Sequence, residues 1–299
     1  MKILLFGKNG QLGHELIEKL SKKADVYALS RDSKDYCGDL LDEAGIADSV
    51  AQIKPNIIIN AAAYTKVDLA EKEISEAFKV NANAPARLAS EAKKINALFV
   101  HYSTDYVFDG SGSKPWVEGD KTSPLNIYGK SKLQGELDII NSRCRYFIIR
   151  TSWVYSFHGE NFVTKIIKLA QEKSTLDIVS DQIGAPTSTS LLADATLLMI
   201  NKVDLEGKLE GVYHIVPRGS LSWYEFAKFI LQTSNDFGFH NKLEVNEIHP
   251  VLSQVQNQTA KRPLNSRMSA LKFEKNFNVV LPSWENDVKL LINKLKLGK

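Results

Sequence analysis

Tyr128-Gly129-Lys130-Ser131-Lys132 sets a phenol and an amine four residues apart. On a helix, positions i and i+4 share a face, so both groups can reach one substrate atom. Reducing a carbonyl needs a hydride on carbon and a proton on oxygen. A phenol with a pKa near 10 stays protonated at neutral pH and can supply that proton. A neighbouring ammonium stabilises the phenolate left behind and lowers the phenol's pKa. Such a pair arises about once by chance in a chain of this composition, and this chain has a second, Tyr224/Lys228. The second lies in Trp223-Tyr224-Glu225-Phe226-Ala227-Lys228, which reads as an amphipathic helix and needs no chemistry. The first has company: Ser103-Thr104-Asp105 closes a strand beginning near Leu98. A hydroxyl there can hold a carbonyl against the tyrosine, with Thr104 the candidate and Ser103 or Asp105 in support. A serine-threonine turn at a strand end accounts for the same residue types.

Gly7-Lys8-Asn9-Gly10-Gln11-Leu12-Gly13 stands where an apolar strand hands over to a helix. A Cβ at such a place would hold a pyrophosphate away from the backbone N–H groups, and the helix N-terminus adds partial positive charge. The spacing is G-x-x-G-x-x-G rather than G-x-G-x-x-G, and glycine also serves ordinary strand-to-helix turns. The first-strand position and the βαβ pattern after it favour a dinucleotide. At the end of the second strand the chain reads Leu29-Ser30-Arg31-Asp32. The Ser30 hydroxyl and the Arg31 guanidinium suit a 2′-phosphate, so NADPH is the expected cofactor. Asp32, one residue on, keeps NADH as the alternative.

The elements that must position these groups follow from periodicity. Ile3 to Phe6, Asp25 to Leu29, Ile57 to Ile59, Leu98 to Tyr102 and Tyr146 to Ile149 read as strands. Gln11 to Lys22, Glu73 to Ile95 and Asn126 to Ile140 read as helices between them. Short apolar strands alternating with helices predict an α/β fold, a Rossmann-type doubly wound parallel sheet covered on both faces. After about residue 151 the alternation loosens. Loop signals gather at 184–189 and 217–220, and helices are expected at Asn161 to Glu172 and Trp223 to Leu231. This predicts an NADP-binding domain over 1–152 and a smaller mixed substrate-binding domain over 153–299. The boundary is soft, because no Gly-, Ser- or Pro-rich linker marks it and the chain can cross back.

The 299 residues are 43% apolar and 24% charged with a formal charge of +3, which suits a globular enzyme and gives no argument for nucleic acid. Two isolated cysteines, Cys37 and Cys144, make neither a disulfide framework nor a zinc site. The opening apolar run is too short for a signal peptide and no stretch approaches a membrane span, so a cytoplasmic protein is expected.

Together, G-x-x-G-x-x-G, a Ser/Thr after the fourth strand and Y-x-x-x-K resemble the extended short-chain dehydrogenase/reductase family. The runs Asn60-Ala61-Ala62-Ala63-Tyr64-Thr65-x-Val67-Asp68, His101 to Phe108, Arg150 to Tyr155, Asp181 to Thr187 and Arg262-Pro263-x-Asn265-Ser266 resemble its dTDP-4-dehydrorhamnose reductase group along nearly the whole chain. The resemblance implies NADPH-dependent reduction of dTDP-4-dehydro-6-deoxy-L-mannose at C4 to dTDP-L-rhamnose, a step of carbohydrate biosynthesis. It makes Tyr128 the proton donor and Lys132 its partner. Thr104 and Asp105 would contact the sugar, and Trp153 would wall its pocket. Gly10, Gln11 and Leu12 would line the cofactor phosphates, Asp39 and Leu40 the adenine, and Ala63, Tyr64 and Thr65 the nicotinamide end.

Residue chemistry is compatible with each of these roles. Asp39 offers an acceptor to an adenine amine, and Ala61-Ala62-Ala63 lets a flat cofactor approach, though helix–sheet packing explains the alanines equally. Trp153 offers a broad apolar face to a sugar ring, with a packed core as the less favoured reading. Some members of the group dimerise around magnesium held by glutamates. Glu15 matches one such position, but Ser190 stands where those members have an acid. A homodimer is compatible with the sequence, a metal-bridged one is not expected, and Glu15 reads as a solvated helix residue. Two alternatives stay open: another nucleotide-linked keto sugar as substrate, or a non-catalytic NADP-binding regulatory subunit.

Overall fold

A computed structural model describes residues 1–203, 208–238, 243–255 and 258–296. In the first strand, β1 (Lys2–Phe6), Ile3 and Leu5 enter one apolar cluster while Leu4 and Phe6 enter another. Successive side chains of a strand point to opposite faces, so both faces of the sheet are covered and the strand is apolar throughout. The first half runs β1, α1 (Gln11–Leu20), β2 (Asp25–Leu29), α2 (Glu43–Ile53), β3 (Ile57–Asn60), α3 (Val67–Ala70), α4 (Ile74–Phe78), α5 (Ala84–Lys94), β4 (Leu98–Thr104), α6 (Ile127–Ser142) and β5 (Arg145–Thr151).

The second half begins with β6 (Val154–Tyr155), α7 (Phe162–Glu172), β7 (Thr175–Val179), β8 (Ile183–Gly184), β9 (Thr187–Ser188) and α8 (Thr189–Lys202). It continues with β10 (Gly211–His214), β11 (Leu221–Ser222), α9 (Trp223–Asp236), β12 (Glu247–Val251), α10 (Leu271–Phe277) and α11 (Trp284–Lys296). The large sheet has the order β10-β5-β4-β3-β1-β2 and every pairing in it is parallel. The chain winds outward from β1 to β2 and then in the other direction from β3, which puts the topological switch between β1 and β3. A separate apolar cluster, drawn from α7, α9, α11 and short strands, forms a smaller mixed unit. The chain does cross back: β10 becomes the sixth strand of the large sheet, and α8 and α10 supply core residues on the α1 face.

The structure departs from the sequence reading at several elements. The helix expected over Glu73 to Ile95 is interrupted by a π-helical turn at Lys79–Asn83. Pro85 has no N–H to give the Asn81 carbonyl, so the regular ladder cannot pass there. Gly135 of α6 packs against that carbonyl, where a Cβ would sit 2.2 Å away. The strand expected to stop at Tyr102 continues to Thr104, because β5 pairs with it as far as Thr104 opposite Thr151. Helices α2 and α8 were not anticipated; α8 starts directly after the loop-rich run 184–189, capped by Ser188 Oγ accepting from Leu191 N at 3.0 Å.

One buried ion pair fastens α6 to β5. Arg150 Nη2 lies 2.6 Å from Glu136 Oε2 and Arg150 Nε 2.9 Å from Glu136 Oε1, with 1% of Glu136 and 5% of Arg150 exposed. Removing one partner of such a pair strands the other charge. Glu136→Ala should therefore lower the unfolding free energy by about 3–5 kcal/mol in urea titrations; a loss below about 1 kcal/mol would mean that water reaches Arg150.

Candidate functional site

A cleft of about 920 Å³ opens beyond the carboxyl ends of the central strands. It shares Gly7, Gly10, Ala62 and Ala63 with a smaller hollow of about 260 Å³ that reaches the end of β2.

The glycine loop forms the near wall. Gly7 takes φ +93°, and its N–H and that of Lys8 donate to Leu29 O at 2.9 and 3.0 Å. A Cβ on Gly7 would sit 2.7 Å from Ala62 N, and one on Gly13 2.1 Å from Gly7 O. Gly13 thus serves close packing of α1 on the loop. Gly10 caps α1 with no side-chain partner, so the first-turn N–H groups remain for an anion. Gln11 and Leu12 line the large cleft, and Gln11 Nε2 also donates to Glu160 O at 3.0 Å. These features fit a dinucleotide pyrophosphate.

Ser30, Arg31, Asp39 and Leu40, the residues expected at the adenosine end, line the smaller hollow. Ser30 Oγ donates to Asp32 Oδ1 at 2.5 Å, which holds the Asp32 carboxyl below its usual range. Arg31 is exposed, with Nε 3.5 Å from Asp39 Oδ1. Ala61, Ala62, Ala63 and Thr65 line the large cleft. Tyr64 does not: its ring is buried, its hydroxyl donates to Glu73 Oε2 at 2.6 Å, and Asn81 Oδ1 accepts from its N–H at 2.9 Å.

Thr104, Asp105, Tyr128, Lys132 and Trp153 meet in the same cleft. Helix α6 is placed by its N-terminus, where Asn126 Oδ1 accepts from Gly129 N and Glu71 Oε1 from Ile127 N, both at 2.8 Å. The Tyr128 hydroxyl lies beside Thr104, and its ring meets Tyr106 edge-on at 5.5 Å. Burial pushes the Tyr128 phenol up to about 12, so it stays protonated across neutral pH. Burial outweighs the lowering expected from a neighbouring lysine. Lys132 Nζ turns to the backbone, donating to Tyr102 O at 2.6 Å, and lies 3.3 Å from His101 Nε2. Burial draws Lys132 down to about 8, against the pull of Glu136.

Trp153 sits in the left-handed region at φ +49° and stacks on Trp223 with centroids 3.5 Å apart. Gly184 makes room for the ring, since a Cβ there would stand 2.6 Å from Trp153 Cε2. Trp223 and Arg262 also line the cleft and were not among the predicted site residues. Arg262 Nη2 donates to Asp68 Oδ2 at 3.0 Å, so two runs quoted for the family resemblance meet in space. Glu15 is half-buried rather than freely solvated, 3.7 Å from Lys19 Nζ, and that ammonium also bonds Ser190 Oγ at 3.0 Å and Asp194 Oδ1 at 2.6 Å. Among the described residues no cluster of three or more His, Cys, Asp or Glu could hold a metal, and no helix is long and apolar enough to cross a membrane.

A doubly wound sheet with a glycine loop at its switch point and a hydroxyl–tyrosine–lysine group in the same cleft defines a nicotinamide-dependent oxidoreductase of the short-chain type. A family model described as RmlD substrate binding domain matches residues 1–297, and the chain belongs to that family. It is 42% identical over 295 residues to the dTDP-4-dehydrorhamnose reductase of Escherichia coli K12, covering 99% of this chain and 98% of that one. A dTDP-4-dehydrorhamnose reductase crystal structure from Clostridium acetobutylicum superposes with a TM-score of 0.90 at 34% identity, over 99% of this chain and 100% of that one. The Bacillus anthracis dTDP-4-dehydrorhamnose reductase, solved in complex with NADP, gives 0.88 at 35% identity over 98% and 99%.

Asp105 sits behind the tyrosine, fully buried, and accepts from Ser266 Oγ and, at 3.1 Å, from Thr104 Oγ1. Burial outweighs these bonds and raises its carboxyl from 3.8 to about 6. A carboxyl that is harder to ionise in the folded chain contributes stability below its unfolded pKa and loses it as pH rises through the folded value. The wild-type melting temperature should therefore fall relative to that of Asp105→Asn between about pH 4 and pH 6. A difference that does not change with pH would put Asp105 back at its ordinary value.

Proposed function

We propose that this chain reduces the C4 keto group of dTDP-4-dehydro-6-deoxy-L-mannose to the alcohol, giving dTDP-L-rhamnose, with NADPH. The observation that carries the reading is the meeting of Thr104, Tyr128 and Lys132 in the cleft that the glycine loop walls. Residues 1–152 would mainly hold the cofactor and 153–299 mainly the substrate.

Gly7, Gly10, Gln11 and Leu12 would take the cofactor phosphates, Ser30 and Arg31 the 2′-phosphate, Asp39 and Leu40 the adenine, and Ala61, Ala62, Ala63 and Thr65 the nicotinamide side. Bound there, the dihydronicotinamide supplies the hydride that the ketone carbon accepts. Thr104 and Tyr128 hold the ketone oxygen. Tyr128 gives its Oη proton to that oxygen, which becomes the hydroxyl, and the phenolate regains a proton from solvent. Lys132, one helical turn on, supports the phenolate when charged. Trp153, backed by Trp223, walls the sugar. Arg262, oriented by Asp68, offers a cation to the diphosphate.

Purified protein mixed with NADPH and the keto sugar should oxidise the cofactor and yield dTDP-L-rhamnose. Tyr128→Phe should bind NADPH normally and lose about 10²–10⁴-fold in turnover. Cofactor binding without oxidation in the wild type would redirect the search to other nucleotide-linked ketones.

The cofactor preference is a separate expectation. Arg31 lines the smaller hollow, while the Asp32 carboxylate is occupied by Ser30. NADPH should give the higher kcat/KM, and Arg31→Ala should erase most of that advantage, about 1.5–3 kcal/mol for a charge-assisted bond. Equal values for NADPH and NADH in the wild type would remove Arg31 from recognition.

A further inference from the structure

Behind Lys132 lies a chain of buried polar groups that the reaction above does not use. Asn60, His101 and Lys132 are 1%, 0% and 2% exposed. Asn60 Oδ1 accepts from Ala62 N at 3.1 Å, which fixes the amide. Its Nδ2 therefore faces His101 Nδ1, 3.2 Å away. A turned amide would set an NH₂ against the Ala62 N–H, two donors face to face. Since Asn60 presents a donor, His101 Nδ1 must accept. A neutral imidazole has one donor and one acceptor, so the ring proton resides on Nε2 and points at Lys132 Nζ, 3.3 Å away.

An ammonium has three donors and no lone pair. An N–H facing it repels, whereas a neutral amine accepts that N–H and still donates to Tyr102 O. We propose that His101, oriented by Asn60, is a positioning residue that sets the proton affinity of Lys132 and biases it toward the neutral amine. The other groups around the amine are accounted for. On α6, Tyr128 is a phenol and Glu136 is paired with Arg150 of β5. From the β4 end, Asp105 accepts from both Thr104 and Ser266. Full burial holds the imidazole well below its ordinary value, which leaves it neutral, and the same burial lowers the lysine. The catalytic consequence rests on the role of Lys132 proposed above; the tautomer does not.

The test uses the full chain labelled with ¹⁵N histidine and ¹³C at lysine Cε, the two signals assigned with His101→Gln and Lys132→Met. At pH 9 His101 should carry its proton on Nε2, and Lys132 should titrate at least one pH unit below the other lysines. Asn60→Asp replaces the donor facing Nδ1 with an acceptor. It should move the proton to Nδ1 and raise the Lys132 midpoint by at least about one pH unit, a tenfold gain in proton affinity. The new carboxylate also acts by charge alone. In a His101→Phe background, where only that charge remains, the same substitution should give less than half the shift.

Wild-type His101 protonated on Nδ1, or equal shifts with and without His101, would overturn the proposal. If Asn60→Asp fails to fold, the wild-type tautomer decides it. Spectra as expected, with an alkaline limb of turnover that does not follow the Lys132 midpoint, would leave His101 in this role and remove Lys132 from the reduction.

Discussion

The bond from the Lys132 amine to the Tyr102 carbonyl, 2.6 Å long, joins α6 to the last turn of β4, and the candidate chemistry depends on that junction. It sets the distance between the helix carrying Tyr128 and the strand carrying Thr104. It also puts an amine where water does not reach. Drawing Lys132 from 10.5 to about 8 corresponds to about 3 kcal/mol against the ammonium. A neutral hydrogen bond contributes about 0.5–1.5 kcal/mol, too little to offset it. The amine therefore sits near its own midpoint in mildly alkaline solution, where a neighbour can tip its charge. Tyr128, pushed the other way by the same burial, keeps its proton. Two groups one helical turn apart are driven in opposite senses by one cause: the phenol keeps the proton it would donate, and the amine's charge is left open to its neighbours.

The cleft exists because backbone and side chains approach unusually closely at its edges. Gly7 in the left-handed region lets the loop lie against Ala62, and Gly13 lets α1 lie against the loop. At the far side Trp153 adopts a positive φ without being glycine, a conformation that costs of order 1–3 kcal/mol. The stack on Trp223 returns about 0.5–1.5 kcal/mol beyond the area buried. Gly184 removes the Cβ that would push the ring off its partner. The indole face presented to the cleft is thus fixed by three residues spread over 71 positions of sequence, Trp153, Gly184 and Trp223.

Much of the sheet was legible because two-sided burial writes itself as short apolar runs. The strand at Asp25–Leu29 came out as read, and those at Ile57, Leu98 and Tyr146 differed only in length. What was not legible came from interactions at a distance. The strand from Leu98 runs on to Thr104 because β5 pairs with it there, which no local pattern announces. The break at Lys79–Asn83 had a local signal in Pro85, masked by the alanine-rich periodicity around it. In the candidate site, Gly7, Gly10, Thr104, Tyr128 and Lys132 could be named from residue type and spacing, and they line one cleft. Tyr64 was placed in the cleft by the family resemblance, yet its hydroxyl is drawn away to Glu73. Trp223, Arg262 and His101 were missed as site residues because their relevance lies in what they touch.

The two Tyr-x-x-x-Lys pairs show what separates a motif from a site. Both pairs lie on helices, and both place an amine four residues after a phenol. In the second, Lys228 is exposed and its Nζ lies 5.5 Å above the Tyr224 ring, a surface cation–π contact outside the cleft. Helical spacing supplies the shared face in each case, so spacing does not distinguish them. The difference is the surface each helix packs on. The first turns of α6 reach the carboxyl end of β4, where the Tyr102 carbonyl takes the Lys132 amine and Thr104 lines the same cleft as the phenol. Helix α9 packs against α7, α11 and the short strands of the small unit, and neither Tyr224 nor Lys228 lines the cleft. A tyrosine and a lysine become an acid and its support when a buried backbone carbonyl and a strand-end hydroxyl hold them, and among the described residues only the first pair has both.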